Sequence, residues 1–183
     1  IDAPDSSVVI LDNDQDMPVA PESFDLILNN FTLHWAEDVP GELARMYNLL
    51  KPGGLFLAAF PGGHTLYELR ACLLDAELAV TGGASPRLSP TIEISAASGL
   101  VQHAGFTLPV TDMEMLTLSY TDAFALMRDL RGMGETNAHA GRLRNFTRRA
   151  VMTETVRLYR DRYMLTDGRI PATFEIIFMH GWR

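Results

Sequence analysis

The sequence predicts an α/β fold built on a largely parallel sheet, and three observations carry that prediction. Residues 8–11 are a short continuous apolar run, as strands buried on both faces are, residues 24–28 are β-prone and mostly apolar, and residues 55–60 form a further apolar run. Between the second and third runs, Leu43, Met46 and Leu50 recur at helical spacing. Lys51-Pro52-Gly53-Gly54 then stops that helix before the next apolar run. Strand, loop, helix, turn and strand in that order form a crossover unit. Ligands bind beyond the carboxyl ends of the strands in such a unit, which draws attention to residues 29–35.

Each element has its own local reason. The first run ends in the polar loop Asp12-Asn13-Asp14-Gln15-Asp16, and Pro18 and Pro21 keep the connector that follows out of a helix. The helix expected over residues 38–50 has an acidic first turn, Asp38 and Glu42, that suits the positive end of its dipole. Pro40 is tolerated there because its missing N–H had no intrahelical partner. After residues 55–60, Gly62-Gly63 turns the chain toward a second helix. Thr65-Leu66-Tyr67-Glu68 fits a capping box at its start, and Leu66, Leu69, Leu73 and Ala76 form its inner stripe. Gly82-Gly83 ends it. A third helix stops at His103-Ala104-Gly105, with Gly105 as a left-handed cap. Leu116, Leu118 and Tyr120 alternate as a half-exposed strand does. Residues 121–169 read as helical, and residues 173–179 as a last strand after Pro171.

The totals narrow the class. At 183 residues the chain is long enough for a substantial core, and 47% hydrophobic with 21% charged residues is ordinary for a globular domain. No apolar run approaches the roughly 20 residues that cross a bilayer. A net charge of −8 argues against a nucleic-acid backbone as the main ligand. The single cysteine, Cys72, excludes an internal disulfide and fits a reducing compartment. The chain opens on Ile1 without a basic targeting segment, and an upstream segment is expected. Charge is uneven: residues 128–169 hold ten basic and five acidic side chains. This basic face has two readings, a dock for an acidic protein or a solvated face resting on the chain's own acidic half. The five histidines show neither zinc spacing nor the local part of a non-haem iron triad, so no metal ligand is assigned.

Several of these motifs together resemble the second half of a class I S-adenosylmethionine-dependent methyltransferase. They are Ser23-Phe24-Asp25-Leu26-Ile27-Leu28, Leu33-His34-Trp35, Asp38 and Leu49-Leu50-Lys51-Pro52-Gly53-Gly54-Leu55. Gly62-Gly63-His64-Thr65-Leu66-Tyr67-Glu68-Leu69-Arg70, Gly82-Gly83-Ala84-Ser85-Pro86, the stretch 129–137 and Pro171-Ala172-Thr173-Phe174 are similar to one branch. That branch contains the mitochondrial respiratory complex I assembly factor of methyltransferase-like fold and its bacterial relatives. It lies near the biotin-pathway methyltransferase that esterifies malonyl-carrier protein. The resemblance implies a Rossmann-like sheet in the order 3-2-1-4-5-7-6 with one antiparallel strand, truncated here to strands 3 to 7. Residues 8–11 would be the third strand and 24–28 the fourth. Residues 1–183 would then be the C-terminal part of one domain, with a helical insertion at 121–169 before the last strand. The first two strands, the glycine-rich loop and the acidic ribose ligand are missing from this map, so the 183-residue piece alone is expected to be inactive. An uncovered edge of the fourth strand is expected to favour a dimer.

The same resemblance assigns candidate residues, each with a plainer alternative. Asn13 and Asp14 follow the third strand, where the family grips the adenine amino group; they are equally read as a solvated loop. Asn29, Asn30 and Phe31 would meet the cofactor's amino acid end, or else form an Asn-rich turn closing the strand. His34 would accept a proton from a substrate N–H or O–H, with Trp35 walling the pocket; the alternative is a packed core histidine. Tyr67, Arg70 and Arg87 would reach the acceptor, because Arg recognises carboxylates bidentately, or would serve in structural pairs. The expected cofactor is S-adenosylmethionine and the expected activity methyl transfer. A respiratory complex I assembly factor, acting as a protein arginine hydroxylase or as a binding scaffold, is the alternative. The expected location is the cytoplasm of a bacterium or the mitochondrial matrix of a eukaryote.

Overall fold

Alternation along the first strand decides which way the sheet faces. In β1 (Phe24–Asn30), Ile27 and Asn29 are buried while Leu26, Leu28 and Asn30 are exposed. The computed structural model describes residues 19–85, 87, 91–135 and 147–183, so the strand expected at residues 8–11 lies outside the described residues. After β1 come a 3₁₀ turn (Leu33–Trp35), α1 (Val39–Leu49) and β2 (Leu50–Pro61). Then follow α2 (Tyr67–Thr81), α3 (Ile94–His103) and β3 (Thr107–Tyr120). Helices α4 (Ala123–Gly132) and α5 (Arg149–Tyr163) precede the last strand, β4 (Ile170–Trp182).

The four strands form one sheet in the order β1-β2-β4-β3. β1 and β2 are parallel, and β4 runs antiparallel to both β2 and β3. With β1 as the fourth strand, this is the 4-5-7-6 order that the resemblance implied, with its antiparallel member in place.

Several local expectations meet the structure closely. Asp38 caps α1, its carboxylate accepting from the Gly41 N–H at 3.0 Å. Gly105 adopts φ of 100°, the left-handed region expected of it, and Gly82, where α2 ends as expected, adopts φ of 75°. Lys51-Pro52-Gly53-Gly54 does more than stop a helix. Phe24 pairs with Leu50 and Leu26 with Leu55, so these four residues bulge from β2 where it begins. The bulge is tied at both sides: Lys51 bonds Asp25 of β1 at 2.8 Å, and Gly53 and Gly54 pair with the backbone of Arg183.

The capping box is a correction. Helix α2 begins at Tyr67 rather than Thr65, Leu66 at its N-cap is left-handed with φ 56°, and no side chain caps it. Strand β4 has taken both members of the box. The Thr65 hydroxyl donates to the Glu175 carbonyl at 2.9 Å and accepts from the Glu175 N–H at 3.1 Å. The Glu68 carboxylate accepts from the Thr173 N–H and hydroxyl at 3.2 and 2.5 Å. Helix α2 is thus docked through the groups that would have capped it. The helical expectation over 121–169 is also trimmed, since α5 ends at Tyr163 and the chain turns to β4 through Gly168.

Two cores result. In the first, Ile27, Phe56, Phe60, Ile177 and Met179 of the sheet meet Leu43 and Met46 of α1 and Val101 of α3. In the second, Leu69, Cys72 and Leu73 of α2 meet Leu126 of α4, Tyr159 of α5 and Ile170 of β4. The other sheet face, carrying Leu28 (66% exposed), Leu57, Val110 and Phe178, is bare among the described residues.

Candidate functional site

The carboxyl ends of β1 and β2 gather most of the residues singled out by sequence. The chain leaves β1 through Phe31, held in the left-handed region at φ 54° by a 2.7 Å bond from its N–H to the Ala59 carbonyl. Asn29 turns inward. Its side-chain oxygen accepts from the Leu33 N–H at 3.0 Å and is buried, so Asn29 closes the turn in the manner of the plainer reading. Leu33, fully buried, anchors the 3₁₀ turn in the first core. Asn30 and Phe31 remain exposed at the strand end.

His34 follows. Its imidazole is 4% exposed, and Nε2 lies 3.1 and 3.3 Å from the two carboxylate oxygens of Glu135, just beyond α4. Burial holds the ring below the ordinary histidine range, partly opposed by the Glu135 charge and hydrogen bond. The opposite nitrogen, Nδ1, is sealed from solvent and has no hydrogen-bond partner among the described residues. Leaving such an atom unpaired costs about 1–3 kcal/mol. Trp35 is half-buried and tilts against the imidazole, its ring centroid 5.0 Å away at 43°.

The loop after β2 is the other wall. A Cβ on Gly62 would sit 2.7 Å from the buried Glu175 Oε2 and 2.8 Å from Ile177, so a side chain there is crowded; one on Gly63 would sit 2.1 Å from Glu93 Oε1, the end of an exposed side chain that can swing aside. Glu175 Oε2 accepts from the His64 N–H at 2.6 Å. Tyr67 is exposed and meets Tyr163 edge-on at 6.1 Å. Arg70 has its Nε buried without a partner among the described residues. Arg87 is engaged elsewhere. It holds the buried Glu77 carboxylate at 2.5 and 3.1 Å and the Thr147 hydroxyl at 2.8 Å, and it keeps Glu77 below the usual carboxylate range. Of the predicted acceptor residues, Arg87 is therefore a clamp on Glu77 of α2. Asn13 and Asp14 lie outside the described residues.

A shallow trough of about 450 Å³ crosses the bare sheet face, lined by Leu28, Asn30, Leu57, Ala59, Val110 and Phe178 among others. Only Asn29 and Asn30 of the predicted residues border it, and His34, Trp35, Tyr67 and Arg70 do not. We regard the strand ends as the candidate site, because the polar and titratable groups converge there. The trough is an apolar sheet surface. Sequence reasoning missed the roles of Glu135 and Glu175. Their partners lie 101 and 111 residues away, and no local pattern signals such a pair. No group of three His, Cys, Asp or Glu side chains among the described residues is arranged to hold a metal.

With this geometry in hand, comparison with known proteins is informative. The family described as "Methyltransferase domain" matches residues 2–58. "Arginine-hydroxylase NDUFAF5, mitochondrial" of Danio rerio is 37% identical over 95% of this chain and 54% of its own length. "Malonyl-[acyl-carrier protein] O-methyltransferase" of Xylella fastidiosa is 36% identical over 91% of this chain and 54% of its own. The crystal structure of a putative methyltransferase from Bacillus halodurans superposes with a TM-score of 0.55 at 16% identity, covering 91% of this chain and 72% of that one. The fold is therefore the Rossmann-like α/β fold of class I methyltransferases. The chain is similar in sequence both to NDUFAF5 and to the malonyl-carrier-protein methyltransferases. It spans about half the length of the curated relatives it matches.

Proposed function

We propose that the chain is part of an S-adenosylmethionine-dependent methyltransferase acting on a small-molecule, carrier-bound or protein acceptor. The observation that carries this is the convergence of Asn30, Phe31 and His34 at the carboxyl end of β1, where this fold class places its ligands. The residues present fit one end of that cofactor. Asn30 and Phe31 are both exposed at the strand end, Phe31 with its backbone left-handed. Asn29 is not part of the fit, since its amide oxygen is already bonded inside the turn. When bound, S-adenosylmethionine supplies a methyl group already activated on a sulfonium. The protein's share is then to align the acceptor and to exclude water. Asn30 and Phe31 would hold the cofactor, Trp35 would wall the acceptor, and Tyr67 and Arg70 would meet it.

The test is calorimetry and thermal shift on the full-length protein with S-adenosylmethionine and its demethylated product. Saturation at a hundred times Kd should raise stability by about 2.7 kcal/mol, and alanine at Asn30 and Phe31 should weaken binding. Neither heat nor a thermal shift would sink the reading.

A second reading is favoured by the five arginine-hydroxylase relatives, 37–42% identical to this chain. It is a complex I assembly factor that hydroxylates arginine or holds a respiratory subunit, working in the mitochondrial matrix of a eukaryote or the cytoplasm of a bacterium. Part of the basic segment is internally neutralised: Arg157 pairs with Glu154 and Asp161, and Arg162 with Asp75 of α2. Arg148 and Arg149 stay exposed at the start of α5, a small foothold for an acidic protein. Salt-sensitive capture of one such protein, without methylated product, would favour this reading.

A further inference from the structure

His34 and Glu135 come from the turn after β1 and the residues just beyond α4, 101 positions apart in the sequence. A neutral imidazole carries one N–H, and an ionised carboxylate can only accept. Burial disfavours the charged form of His34, and Glu135 faces Nε2 at 3.1 Å, so in the neutral ring the proton belongs on Nε2. That leaves Nδ1 with a lone pair, desolvated and unmatched among the described residues. A carboxylate that fixes one imidazole nitrogen and frees the other is the arrangement by which enzymes orient a general base.

We infer that Glu135 is a positioning residue that fixes the His34 tautomer, so that the Nδ1 lone pair is the one left to take the proton of the methyl acceptor's reacting N–H or O–H. This rests on the methyltransferase reading and deepens it, because it selects the acceptor class. An acceptor nitrogen or oxygen forms its bond to the methyl carbon as the carbon–sulfur bond breaks with its electron pair on sulfur, and the acceptor's proton passes to Nδ1. An ionised carboxylate acceptor has no proton to hand over and would be repelled by Glu135. The acceptor is therefore a protonated nitrogen or oxygen nucleophile.

Two measurements on the full-length protein decide it. Ring-nitrogen NMR of His34 at neutral pH should show Nε2 protonated and Nδ1 bare. In Glu135→Gln the single tautomer should give way to a mixture, since an amide can offer either its oxygen or its NH₂ to Nε2. Label transfer from isotopic S-adenosylmethionine to a bacterial lysate should fall tenfold or more in Glu135→Gln, with the KM for the donor unchanged, and should recover in part in Glu135→Asp. General-base contributions of about 10²–10⁴ set the scale for the parent histidine. A protonated Nδ1 in the parent protein, or a Glu135→Gln protein that transfers label at the parent rate, overturns the inference. Absence of label transfer by the parent protein would remove the methyltransferase reading; the ring spectrum would still decide whether Glu135 sets the tautomer.

Discussion

The two cores of this molecule are built differently. The first, where β1, β2 and β4 meet α1 and α3, is almost wholly aliphatic and aromatic: Ile27, Leu43, Phe56, Phe60, Val101 and Ile177 fill it. The second, around α2, α4, α5 and the start of β4, is threaded with buried polar groups. Thr65, Glu68, Thr155, Thr173 and Glu175 are all enclosed there or at its margin; Thr65 and Glu68 bond to residues of β4 over a hundred positions away, and Thr155 bonds the Val151 carbonyl within α5. Apolar burial is non-directional and scales with area, so the first core tolerates small shifts. Buried hydrogen bonds are directional, and each is costly to leave unmade, so the second admits fewer arrangements. The difference places rigidity where α2 must dock on β4, beside the candidate site.

Mutations can sharpen this contrast. The largest effect belongs to the apolar core. Phe56→Ala removes a fully buried ring stacked on Phe106 at 5.2 Å and should cost about 3–5 kcal/mol in denaturant unfolding. In the polar core, Glu68→Leu strands the Thr173 N–H and hydroxyl and should cost about 1–3 kcal/mol. Glu68→Gln should cost less, because the amide oxygen still accepts. If Leu and Gln prove equally costly, the hydrogen bonds are not what holds α2 on β4. The smallest effect concerns Cys72, whose thiol is fully buried and pushed up to about 11 by desolvation. Alkylation of the folded protein at pH 8 should be negligible and should appear only on unfolding. The sign follows: the unfolded thiol ionises near 9, so this group's stabilising contribution is present below that pH and lost as pH rises toward 11. Rapid labelling of the native protein would mean the second core opens readily.

The first core was legible in advance, and so were the caps that depend on one residue. The strand over 24–28, the helix from Asp38, and the glycines at 82 and 105 follow from period and backbone sterics that act over a few residues. The strand order was legible only through resemblance, since nothing in residues 50–61 says that residues 170–182 lie beside them. The capping box failed for a related reason. Thr65 and Glu68 carry the right groups at the right spacing, and β4 offered those groups partners from over a hundred residues away. At the candidate site the sequence picked out His34 and Asn29 but not their fates. Asn29 is bonded within its own turn, whereas His34 is bonded to Glu135 across the fold.

By itself, then, the sequence determined the strand at 24–28, the helix from Asp38, the inner stripe of α2 and the polar cluster at the end of β1. Those are short-range matters of side-chain periodicity and φ, ψ preference. Tertiary structure alone decided that α2 would be docked through its would-be caps, that Arg87 would clamp Glu77, and that Glu135 would orient His34. Each of these rests on a directional bond between groups distant along the chain, and such a bond exists only once the chain has closed around it.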